Sequence, residues 1–151
     1  MAARKNASAA PAGTVLAFDF GTRRIGVAVG EAQLRLAHPL ATLDNGGGNE
    51  HFERIAALIA EWHPVLLLVG LPTHADGTPH AMTDRARRFA AQLGSRFGLP
   101  VAFADERFST REASSSLREA SATRRARKDA RDALAAQVFL QAYLDDARRA
   151  P

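Results

Sequence analysis

The chain is 151 residues long, 46% hydrophobic, free of cysteine and carries a formal net charge of +4. That length supports one compact core and falls short of two ordinary domains, and the missing thiols exclude disulfides and cysteine-held zinc or iron-sulfur sites. Residues 1–13, MAARKNASAAPAG, contain no apolar stretch of signal-peptide length, and no later segment approaches the roughly 20 apolar residues of a membrane span. The expectation is a disordered extension over 1–13 and a single domain over 14–148, cytoplasmic and without a membrane partner.

Read in chain order, TVLAFDF and RIGVAVGE are two strands joined by a tight turn at Gly21 to Arg23. RLAHPLATL is a third strand, with Pro39 marking an edge or a bulge. DNGGGNE breaks the pattern. From Asn49, a candidate cap, Phe52, Ile55, Ile59 and Trp62 fall on one helical face until Pro64 stops it. VLLLVG, apolar throughout, reads as a central strand covered on both faces. Thr78 and Pro79 open a second helix with the stripe Met82, Ala86, Phe89, Leu93 and Phe97, ended by Gly98. PVAFADE is a short strand, and STRE after it is a capping box pairing Ser109 with Glu112. The last helix runs from about Lys128 to Ala147, with Ala136, Phe139, Leu140 and Tyr143 inward. The fold class is therefore α/β: a mixed five-stranded sheet, an antiparallel hairpin and meander followed by βαβ crossovers, with helices on both faces.

Such sheets carry their sites where strands end, and three acids fall at positions of that kind. Asp19 closes the first strand, Glu106 closes the last, and Asp132 stands near the start of the final helix, in line with Ala136, Phe139 and Tyr143 at spacings of 4, 7 and 11. Singly, each has a bland explanation. Asp19 could fasten its own turn, Glu106 could pair with Arg107 or Arg111, and Asp132 could favour the helix dipole. Together, converging carboxylates repel one another, and hard divalent cations are their natural compensation. Asp105 alternates to the opposite side of its strand, and Trp62 reads as core. The segment REASATRRARKDAR, residues 118–131, holds six basic and two acidic side chains, a surplus equal to the whole net charge. A basic stripe beside an acidic site suits a polyanion, although alone it could be a solvated loop.

DFGTRRIGVAVG, LLLVGLPTHADGT, ADERFSTREA and DALAAQVFLQAYLD together resemble the motifs of the YqgF family, pre-16S rRNA nucleases also described as Holliday-junction-resolvase-like. They occur in the family's order over roughly residues 14 to 146. The resemblance implies an RNase H-like fold and metal-binding, catalytic acids at Asp19, Glu106 and Asp132. It further implies Mg²⁺ or Mn²⁺, two ions with substrate bound, and cleavage of structured nucleic acid in 5′-end maturation of pre-16S rRNA within the pre-30S particle. Thr22, Arg23, Arg107, Arg124, Arg125, Arg127 and Lys128 are the candidate nucleic-acid contacts. Two positions depart from the family pattern: His74 stands where an asparagine is usual, and Asp129 where relatives are commonly basic. The alternatives are a resolvase of branched DNA and a non-catalytic nucleic-acid-binding or ribosome-assembly module. A monomer or weak homodimer is expected, since the sequence marks no dimer face.

Overall fold

A computed structural model describes residues 13–46, 48–71, 83–105 and 124–148, with side chains in the last stretch described over 132–146. Among the described residues, five strands and three helices follow one another: β1 (Thr14–Phe20), β2 (Arg24–Glu31), β3 (Leu36–Asp44), α1 (Glu50–Trp62), β4 (Leu66–Leu71), α2 (Thr83–Phe97), β5 (Val101–Asp105) and α3 (Arg124–Arg148). The strands form one sheet in the order β3-β2-β1-β4-β5. β1 and β2 pair antiparallel, as do β2 and β3, while β4 lies parallel to both β1 and β5. The carboxyl ends of β1, β4 and β5 therefore share one rim.

Strand periodicity explains the two cores. Leu16 and Phe18 of β1, Ile25 and Val27 of β2, and Leu67 and Val69 of β4 pack on one face with Phe52 and Ile55 of α1 and Phe89 and Leu93 of α2. The alternate residues Val15, Ala17, Ala28, Leu66 and Leu68 pack on the other face with Ala136, Phe139, Leu140 and Leu144 of α3. β4, an interior strand between β1 and β5, is buried on both faces, which is why VLLLVG shows no alternation. β3 is an edge strand. Its register slips where Val27 faces Ala41 and Ala28 faces Pro39, leaving Leu40 as the extra residue of a bulge. Proline costs no ladder bond at such a place.

Helix ends follow their own chemistry. His63, after the last turn of α1, adopts a left-handed conformation with φ 49° and donates its N–H to the Ile59 carbonyl at 2.9 Å, so the stop expected from Pro64 is made one residue earlier. Asn49 occupies the N-cap position of α1 but makes no capping bond through its side chain. Trp62 is half-buried against the first core, its indole N–H without a partner among the described residues. α2 is described from Thr83, so the expected cap at Thr78 and Pro79 and the contact of Met82 lie outside the described residues, as do Ser109 and Glu112.

α3 differs most from expectation. The described helix already includes Arg124, ahead of the expected Lys128, so Arg124, Arg125, Arg127 and Lys128 belong to the helix itself. Asp132 consequently lies two turns inside α3. A charge that deep feels little of the helix terminus, which removes the dipole as a reason for an acid there. Among the described residues no helix is long and apolar enough to cross a membrane.

Candidate functional site at the carboxyl rim of the sheet

The site starts with a hairpin. Gly21 donates its N–H to the Arg24 carbonyl at 2.9 Å, and a β-carbon added at Gly21 would stand 2.7 Å from that oxygen. Glycine is required by this close approach. Asn45, just beyond β3, pins the same turn twice: its backbone N–H donates to the Arg23 carbonyl at 2.8 Å, and its side-chain amide to the Gly21 carbonyl at 2.6 Å. Thr22 and Arg23 are thereby held exposed at the tip of a fixed turn.

Asp19 precedes that turn on β1. Leu16 and Phe18 point to the α1 and α2 side and Val15 and Ala17 to the α3 side, so alternation turns Asp19 toward α3. It is half-buried, and it pairs in register with Gly26 of β2. Asp132 arrives at the same glycine from the helix. A β-carbon at Gly26 would collide with the backbone carbonyl of Asp132 and with the Ala133 nitrogen. The missing side chain lets α3 lie directly on β2, and Asp19 and Asp132 flank the contact from sheet and helix. The Asp132 carboxylate accepts a hydrogen bond from Arg24 Nε at 3.0 Å, an ion pair in which both side chains are largely covered, 25% and 30% exposed.

Arg24 was missed by reasoning from sequence, and a signal for it existed. Arg24, Gly26, Ala28 and Gly30 are the alternate residues of RIGVAVGE, so once Ala28 faces α3, Arg24 does too. Two further anchors dock the helix over the edge strand. Gln137 donates to the Ala37 carbonyl at 2.9 Å, while Gln141 donates to the Arg35 carbonyl at 2.8 Å and accepts from the Ala37 N–H at 3.1 Å.

Of the three expected acids, Asp19 and Asp132 are brought to one place, and Glu106 lies outside the described residues, immediately after the end of β5. Arg107 and His74 lie outside them too. Among the described residues no three metal-binding side chains cluster. The two acids present are hard oxygen donors on one face of the rim, which suits Mg²⁺ or Mn²⁺ and no soft metal.

The model of a family described as RuvX, Holliday junction resolvase, matches residues 13–146. The chain belongs to this family. Its relatives include proteins named as pre-16S rRNA nucleases: one from Nitrosospira multiformis is 54% identical over 141 residues, spanning 93% of each chain. Another, from Burkholderia cenocepacia, is 53% identical over 132 residues, spanning 87% of this chain and 89% of its own. Among solved structures, Thermus thermophilus RuvC in complex with a Holliday junction substrate aligns over 87% of this chain and 93% of its own, with a TM-score of 0.50 and 17% identity. That likeness establishes the RNase H-like fold, as the resemblance to the YqgF family had implied.

Proposed function

We propose that the chain is a metal-dependent nuclease that hydrolyses phosphodiester bonds in structured RNA, with 5′-end maturation of pre-16S rRNA in the cytoplasm as its task. The observation that carries the reading is the meeting of Asp19 and Asp132 at Gly26 on the carboxyl rim, in a chain whose family is described as resolvases and whose relatives are named as rRNA nucleases. Asp19, Glu106 and Asp132 would hold the metal. Two divalent ions bound there would supply an activated water and stabilise the leaving oxygen.

The chain's own residues supply position and charge. Arg24 fixes the Asp132 carboxylate and offsets part of the repulsion between the two acids. Thr22 and Arg23 present a hydroxyl and a cation at the tip of the pinned turn. Arg124, Arg125, Arg127 and Lys128 lie in the first described turns of α3, a run of positive charge suited to a phosphate backbone. Arg107 completes the proposed contacts, and the protein acts as a monomer or weak homodimer on the pre-30S particle.

A second reading, cleavage of branched DNA, is favoured by the family's description. One experiment separates the two. Purified protein is incubated with labelled pre-16S rRNA and with a four-way DNA junction, each with Mn²⁺ and with chelator. Manganese-dependent cleavage of the RNA at its 5′ side supports the proposal, cleavage of the junction alone supports the second reading, and cleavage of neither removes both.

A further inference from the structure

On the opposite face of the sheet from α3, but at the same rim, lies a concavity of about 300 Å³. Phe20, one residue beyond Asp19, lines it together with the rings of His51, Phe52 and Phe89, and Asn45, Asn49, Arg85, Arg88 and Gln92 supply its polar lining. Its walls are fixed. Asn45 is the residue that pins the Gly21 to Arg23 turn, and the Phe20 ring lies 4.7 Å from that of Phe89 in α2.

The composition of this hollow points to one kind of ligand. Residues 85, 88 and 92 share a face of α2, with spacings of three and four. Arg85 and Arg88 are exposed, and neither makes an ion pair with another described residue. Arg96 of the same helix is engaged instead, with its guanidinium 4.0 Å above the Phe52 ring. Two exposed guanidiniums one turn apart suit a phosphate. Neutral amides from Asn49 and Gln92, both donor and acceptor, suit the polar edge of a base or a sugar. A half-buried aromatic ring beneath them offers an apolar surface of the kind nucleobases rest on.

We propose that this concavity is a nucleotide subsite holding the single-stranded flank of the substrate, with a backbone phosphate on Arg85 and Arg88 and the adjoining base over Phe20. The inference rests on the nuclease reading and deepens it: the strand cleaved beside Asp19 continues across the Gly21 to Arg23 turn onto α2. The subsite would then select junctions between paired and unpaired nucleic acid.

The test uses the full chain and its Arg85→Gln/Arg88→Gln variant, both substitutions lying on the exposed face of α2. Fluorescence anisotropy measures binding of a blunt RNA duplex and of the same duplex with a single-stranded flank, in chelator and over a range of salt. A DNA pair of equal design shows whether ribose matters. Wild type should bind the flanked duplex several-fold more tightly than the blunt one. The variant should lose that preference, with the salt slope on the flanked duplex falling by about 0.7 for each phosphate contact removed, while its affinity for the blunt duplex stays unchanged. An Arg85→Lys/Arg88→Lys variant should keep most of the preference. Equal loss on both duplexes, or no loss on either, overturns the subsite. A wild type that binds no nucleic acid overturns the nuclease reading itself.

Discussion

The two faces of the sheet are built to different rules. Toward α1 and α2 the sheet presents Leu16, Phe18, Ile25, Val27, Leu67 and Val69, and the helices answer with Phe52, Ile55, Phe89 and Leu93. Phe18 and Phe89 meet edge to face at 5.8 Å, and Phe52 stacks on Phe89 at 6.0 Å. Toward α3, β1 and β4 still present Val15, Leu66 and Leu68 against Phe139, Leu140 and Leu144, but β2 presents only Gly26, Ala28 and Gly30, and that helix carries Ala133, Ala135 and Ala136 among its buried residues. Bulky side chains bury more apolar area and contribute more to stability. Small ones let backbones approach, and the close approach brings Asp132 onto the glycine that pairs with Asp19. The candidate chemistry sits on the face where β2 carries glycine and alanine.

The comparison breaks first at Gly26. Gly26→Ala should force α3 away from β2, lowering stability by about 3 kcal/mol and abolishing cleavage together, read by urea denaturation and by turnover of precursor RNA. On the other face, Leu93→Ala empties a fully buried position and should cost about 3 kcal/mol while the folded protein keeps its turnover. If both variants lose stability and activity in step, the division between the faces is wrong.

Arg24→Gln should act on chemistry more than on folding. Loss of one partly covered ion pair should lower stability by about 1 kcal/mol and cut cleavage roughly tenfold, about 1.4 kcal/mol in the barrier. The smallest effect concerns pH. Burial, aided by the charge of Arg96, holds the His51 pKa below its usual 6.5, so the neutral imidazole is the form the fold favours. Above pH 6.5 this makes no difference. As pH falls through 6.5 the unfolded chain takes up a proton that the folded chain resists, and stability declines. His51→Gln should therefore lose less stability than wild type between pH 7 and pH 5, measured by urea midpoints.

The strands were legible because alternation and turn residues agree locally: β1, the Gly21 turn, β2 and the bulged, proline-bearing β3 all follow from their own residues. Asp132 was legible because an apolar stripe continues from it at helical spacing. The start of α3 was not, since RRARKD has no apolar stripe and its helical state shows only in the fold. Asn45 looked like part of a flexible break, yet it fastens a turn 24 residues away. No local pattern signals a bond of that range. Arg24 lay in between, visible to strand parity but hidden when the hairpin is read only as a turn.

The most direct measurement is cleavage of labelled pre-16S rRNA by Asp19→Asn with Mn²⁺ present and contaminating nucleases excluded, alongside RNA binding in chelator. The substitution keeps the shape of the side chain and removes its charge. Turnover should fall about a thousandfold, matching the several kcal/mol that a metal-held site supplies, while RNA binding stays equal or tightens because a charge repelling phosphate is gone. Unchanged cleavage by this variant would contradict the account.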